Sequence, residues 1–180
     1  RKDVEFLSAI GKEIYELLEN IYITQAPILK NREELISYSS SLYADSSELQ
    51  EHLYKILKDR DNLSDTYIKP FQALLLHGRS PKLTRSCFGY ARLEPPIYEK
   101  GRIIRGAIIS LIPSGPTSEI SAPVTSEVIG ALLEEPALLK ALQSLNKESF
   151  TKQLEEILLR FYKSTVQTRL HLKTSGAEKV

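Results

Sequence analysis

The chain has 180 residues, 42% hydrophobic and 26% charged, with a formal net charge of +1. That length suits one domain with a real core, and the near-neutral balance supplies no field steering it toward nucleic acid or a membrane surface. One cysteine, Cys87, excludes an intramolecular disulfide and fits a reducing cytoplasm, and one Cys with three scattered His offers no zinc-site spacing.

The apolar runs are too short to span a bilayer, and the N-terminus shows no signal-peptide pattern. The chain starts at Arg1 and contains no Met, which reads as a segment of a longer protein.

Taken in order, residues 3–21 predict an amphipathic helix capped by Asp3, with Val4, Leu7, Ile10, Ile14, Leu17, Leu18 and Ile21 at helical spacing. Tyr22–Leu29, broken by Pro27, reads as an edge strand or a turn. Asn31 with Glu34 predicts a capped helix burying Leu35, Ile36 and Leu42. Ser47 caps the next, with Leu49, Leu53, Ile56 and Leu57 on its apolar face and its end near Arg60.

A polar turn then leads to the apolar run Ala73–Leu76, read as a buried strand that surfaces in a loop at His77-Gly78-Arg79-Ser80. Cys87–Leu93 suits a strand ending at the turn Glu94-Pro95-Pro96. Ile103–Ile112 is nearly all aliphatic and predicts a strand covered on both faces. Pro113–Pro123 reads as a loop, after which Thr125 or Ser126 caps a helix through Leu133. Pro136 opens a segment through Leu145, Ser149 caps a last helix, and Lys173–Val180 reads as a frayed tail. The fold class is α/β: a three-layer α/β/α sandwich with a small mixed sheet flanked by helices on both faces.

Few residues offer chemistry. Cys87 opens an apolar strand and reads as an inert buried thiol, because reactive cysteines need an electropositive, exposed setting. His52 reads as a solvated helix residue, and His171 lies in the polar tail. Ser114-Gly115-Pro116 lacks the Lys and the spacing of a phosphate loop. Charge runs such as Glu33-Glu34 and Glu134-Glu135 read as solvated faces. His77, Arg60 and Arg79 are left: an imidazole able to attack phosphorus and two guanidiniums to steady the transferring charge. An ordinary loop histidine is the competing reading of His77.

The stretch Arg60-Asp61-Asn62-Leu63-Ser64-Asp65-Thr66-Tyr67-Ile68, followed by an apolar strand and His77-Gly78, resembles the active segment of phosphotransferase-system enzyme IIA domains of the mannitol/fructose class. Ala91–Ile97, Ile103–Pro113 and Glu134–Leu142 resemble, in order, the family's next strand and turn, its core strand and its late helix. The resemblance spans roughly residues 21–162. It implies His77 as the phosphoryl-accepting histidine and Arg60 as the arginine holding the phosphoryl group; Arg79 is added from charge and proximity alone. No cofactor and no metal is implied.

Three features depart from the family pattern. Lys69-Pro70-Phe71-Gln72 stands in place of a Gly-rich turn, Leu76 replaces the proline before the histidine, and Glu119–Val124 lacks a second histidine. The expected organisation is a connecting or accessory helix at 1–20, an enzyme IIA-like domain at 21–163 and a tail at 164–180. The expected role is regulatory, as in the C-terminal domain of a PRD-containing transcriptional regulator, with HPr or another phosphocarrier protein as donor and neighbouring regulator domains as readers. The alternatives are a transport subunit passing phosphate to a IIB domain and a non-catalytic interaction domain of a membrane transporter. Either way the domain is expected to be cytoplasmic, without nucleic acid contact of its own or membrane insertion; its oligomeric state is left open.

Overall fold

A computed structural model describes the backbone of residues 1–178 and the side chains of residues 1–170. Helix α1 (Lys2–Glu19) leads into strand β1 (Ile21–Gln25), followed by helices α2 (Arg32–Ser41) and α3 (Ser47–Leu63). Strand β2 (Tyr67–Ile68), a 3₁₀ turn (Lys69–Phe71) and strands β3 (Ala73–Ser80), β4 (Cys87–Glu99) and β5 (Arg102–Pro113) complete the sheet. Helices α4 (Ser118–Glu134), α5 (Pro136–Gln143) and α6 (Lys147–Glu178) close the chain.

The mixed sheet runs in the order β1-β4-β5-β3-β2. Its centre is β5, which pairs in parallel with β3 and antiparallel with β4. Both faces of β5 are covered, as its aliphatic run predicts. On one face Ile108 packs with residues of α1, α4, α5 and α6, including Leu17, Val128, Leu142 and Leu154. On the other, Ile109 and Leu111 pack with Leu35 and Ile36 of α2 and with Leu53 and Leu57 of α3. Three layers result, with helices on both faces of the sheet.

Several local expectations shift. The cap of α3 is Ser46, whose hydroxyl accepts from Leu49 N–H, and the cap of α6 is Asn146, whose side-chain oxygen accepts from Ser149 N–H. The Glu94-Pro95-Pro96 stretch does not end β4. Its pairing with β5 breaks between Arg92 and Ile97 and resumes to Glu99, before a hairpin turn at Lys100 and Gly101, both with positive φ. Pro113–Pro123 is only partly a loop, because α4 already starts at Ser118 and carries Pro123 inside it. Burial of Val124, Val128 and Leu132 in the core outweighs the backbone bond that Pro123 forfeits. Thr125 and Ser126 are therefore interior helix residues and cap nothing. The backbone of α6 is helical through Glu178, past the point where a frayed tail was expected; Lys179 and Val180 lie outside the described residues.

Candidate functional site

The strand β3 extends four residues beyond its apolar run, so His77, Gly78, Arg79 and Ser80 are strand residues rather than a loop. The cause is pairing: His77 through Ser80 lie in register with Ser110 through Pro113 of β5. On the opposite side β2 pairs only with Ala73 and Leu74, and a last bond runs from Leu75 N–H to the Thr66 carbonyl at 2.8 Å. Beyond that bond the edge of β3 is open. The Leu75 N–H points to this edge, whereas the Ser80 carbonyl accepts from Ser114 N–H on the β5 side. Strand alternation therefore turns the His77 and Arg79 N–H groups to the open edge as well.

The His77 imidazole is fixed by two neighbours. Nδ1 lies 3.3 Å from the Leu75 carbonyl, and Nε2 lies 3.0 Å from Arg60 Nε. A carbonyl only accepts and a guanidinium N–H only donates, so the ring carries its proton on Nδ1 and its lone pair on Nε2. Burial pushes its pKa below the ordinary histidine value; the Leu75 carbonyl opposes this and the Arg60 charge adds to it. The result is a neutral imidazole with Nε2 as its nucleophilic atom.

Arg60 reaches the edge of the sheet because α3 packs tightly against β3. A Cβ on Gly78 would lie 2.4 Å from Ile56 Cγ2, so glycine is what lets the helix approach one turn before Arg60. The far side of the helix end is clamped by charge. Arg32 Nη1 meets Asp61 Oδ1 at 2.8 Å and its Nη2 meets Glu99 Oε2 at 2.8 Å, while Thr66 Oγ1 donates to Asp61 at 2.6 Å. Arg102 pairs with Asp65 and sits 4.5 Å over the Tyr67 ring. The hydrogen bond from Arg102, aided by that from Tyr67 N–H, draws the Asp65 carboxyl down to about 2.

A cavity of about 510 Å³ opens at this edge, lined among others by Ile56, Leu63, His77, Ser110 and Thr125. Arg60, Arg79 and Asp59 line it too, so two cations face one carboxylate. Leu63, 79% exposed, forms an apolar lip. The arrangement offers a half-buried neutral imidazole, a positive charge beside its lone pair, and open space next to both. Among the described residues no cluster of His, Cys, Asp and Glu is placed to hold a metal ion.

Of the residues singled out in the sequence, His77 and Arg60 are brought into direct contact, and Arg79 lines the same cavity without touching the imidazole. Cys87 is buried, and burial pushes its thiol up to about 11. His52 is not a solvated surface residue: its Nε2 lies 2.7 Å from the hydroxyl of fully buried Ser80, tying α3 to the end of β3. The side chain of His171 lies outside the described residues. Sequence reasoning missed Ser110, although a lone serine inside an aliphatic strand was a readable signal. It also missed the packing role of Gly78.

The family model described as "Phosphoenolpyruvate-dependent sugar phosphotransferase system, EIIA 2" matches residues 16–157. No curated protein matches in sequence. Among solved structures, the nitrogen regulatory protein IIA-Ntr of Neisseria meningitidis superposes with a TM-score of 0.56 at 19% identity, covering 78% of this chain and 94% of that one. The IIA mannitol structure of Escherichia coli gives 0.50 at 18% identity, with 78% and 96% covered. A Streptococcus mutans chain described as a PTS IIA, PtxA, gives 0.52 at 15% identity, with 84% and 96% covered. At these identities the likeness is one of fold.

Proposed function

This chain belongs to the EIIA 2 family of the phosphoenolpyruvate-dependent sugar phosphotransferase system, and we propose that His77 is its phosphoryl acceptor. The observation that carries this reading is the short contact between Arg60 Nε and His77 Nε2, at 3.0 Å, at the mouth of a cavity. The donor is a phosphohistidine of HPr or another phosphocarrier. Nε2 attacks its phosphorus, an N–P bond forms at His77 as the donor's N–P bond breaks, and the donor imidazole leaves with the electron pair. The Nδ1 proton stays on Nδ1 throughout, hydrogen-bonded to the Leu75 carbonyl. Arg60, which covers the lone pair at rest, swings onto the phosphoryl oxygens and neutralises charge there. Arg79 and the open-edge N–H groups of His77 and Arg79 add positive potential.

The role proposed for the acceptor is regulatory. A phosphoryl group adds about −1.5 to −2 charges at this edge, enough to change contacts with neighbouring domains, a PRD-containing regulator being the expected setting. What favours this over sustained sugar flux is the altered turn at Lys69–Gln72, Leu76 before the histidine, and the lack of a second imidazole in Glu119–Val124. Incubation with enzyme I, HPr and labelled phosphoenolpyruvate should label the wild type and leave His77→Ala blank; equal labelling of both would sink the assignment. A chase with a cognate IIB domain separates the roles, since retained label supports regulation and rapid loss supports a transport subunit. Absence of any label points instead to a non-catalytic interaction domain.

A further inference from the structure

Ser110 is the one polar side chain in the run Ala107–Ile112, in the middle of the central strand. The residue is 4% exposed, yet its hydroxyl is not among the buried atoms left without a partner: with no described protein group bonded to it, it reaches open space. A hydroxyl in such a place is left to bond cavity water or an incoming ligand. The oxygen is not sealed in the core: Ser110 forms part of the wall of the cavity that holds His77. Ser110 and His77 are direct partners in the parallel ladder between β3 and β5, so their side chains stand side by side on one face of the sheet.

The wall facing β3 and β5 adds two more hydroxyls, one on half-buried Thr125 and one on exposed Ser126. Thr125 and Ser126 of α4 line the same cavity, and neither hydroxyl bonds to another described side chain or to a described carbonyl. The hydroxyls thus face a space bordered by two guanidiniums and by the nucleophilic nitrogen, with Asp59 as the one carboxylate on its lining. Donors without acceptors around a cationic cavity suit an incoming group that is all acceptor, and a phosphoryl group has three such oxygens.

We propose that the hydroxyls of Ser110 and Thr125 donate hydrogen bonds to the phosphoryl oxygens at His77 Nε2, completing on the sheet and α4 side the cradle that Arg60 forms at the open edge. The proposal rests on His77 being the acceptor. In the transfer the hydroxyls break no bond: the N–P bond forms at Nε2, that of the donor breaks, and each O–H exchanges cavity water for a phosphoryl oxygen. Their bonds strengthen as negative charge gathers on those oxygens, which places them among the groups that lower the barrier.

The test uses the full chain and phosphoramidate, a chemical phosphoryl donor that removes any dependence on carrier recognition, with phosphohistidine followed by phosphorus NMR. Ser110→Ala should be labelled at His77 roughly ten- to a hundredfold more slowly than wild type, the loss of one hydrogen bond to a charged group. Thr125→Val, which keeps the shape and removes the donor, should slow in the same direction. Ser110→Cys, a weaker donor, should fall between serine and alanine. The accompanying readout is urea stability. Ser110→Ala deletes a hydroxyl that bonds no described protein group, so stability should hold while labelling falls, a split that a structural serine does not produce. Wild-type rates in both Ser110→Ala and Thr125→Val overturn the hydroxyl cradle and leave His77 standing as acceptor. A loss of labelling matched by an equal loss of stability overturns it too. No labelling of His77 in the wild type overturns both readings together.

Discussion

At the scale of single residues, His77 is tuned by what it touches. Burial, opposed by the Leu75 carbonyl and assisted by the Arg60 charge, holds its pKa below the usual histidine value. A lowered pKa means that the folded chain binds this proton less readily than the unfolded one. The group therefore supports folding fully above about pH 6.5, and that support is lost as pH falls through the folded value. Phosphoryl acceptance should decline over the same acid range, because a proton on Nε2 removes the nucleophilic pair. An NMR titration of wild type should give a His77 midpoint below 6.5, and Arg60→Gln should move it upward; an unmoved midpoint would show that the guanidinium does not sit on the ring in solution. Cys87 offers a contrasting case. With its thiol pushed up to about 11 by burial, it should resist alkylation at neutral pH until the chain is unfolded, and rapid modification of the native protein would contradict its placement.

At the scale of elements, the site depends on how α3 is seated. Gly78→Ala would set a methyl against Ile56, whose branched side chain has little rotamer freedom in a helix, so the helix itself must shift. The expected cost is about 1–3 kcal/mol by chemical denaturation, with slower labelling because Arg60 lies one turn further on. The other side of the same helix end is held by Asp61, 4% exposed, against Arg32 and Thr66. Asp61→Ala removes a charge-assisted bond while Arg32 keeps Glu99, so the loss should be about 1.5–3 kcal/mol. Urea melts measure both. A neutral outcome for Asp61→Ala would mean that the ion-pair network is not formed in solution. The Asp65 carboxyl, at about 2, adds a pH signature. Its contribution is present above the unfolded carboxylate value and is lost as pH falls toward 2, and Arg102→Gln should raise its titration midpoint.

At the scale of the whole molecule, α1 is the element that the family model covers only in its last residues, 16 onward. It is nonetheless packed into the larger core. Ile10, Ile14 and Leu17 are buried beside residues of α4 and α6, and the Glu13 carboxylate accepts from the buried Ser86 hydroxyl at 2.5 Å. Asn20 adds a bond to the Ser86 carbonyl. These contacts favour a helix that folds with the domain over a free connector. Leu17→Ala should cost about 2–5 kcal/mol and lower a single cooperative transition; a change of only a few tenths would show that the helix docks loosely.

How much of this was legible in the sequence depends on the range of the interaction. Aliphatic runs and helical spacing determined where β5, α1, α3 and α5 lie, because burial of a periodic apolar face is decided over a few residues. The motif from Arg60 to Gly78 was enough to join the histidine with the arginine. Elements whose neighbours decide them were misjudged. Helix α4 begins before Pro123 because the sheet rewards burial of its face, and β3 continues through Ser80 because β5 is there to pair with it. His52 looked solvated until the strand brought Ser80 to it. Which imidazole nitrogen is free, how closely α3 may approach Gly78, and which hydroxyls face the cavity were all decided by tertiary structure. Each depends on atoms from segments far apart in the chain, and local propensity carries no information about such meetings.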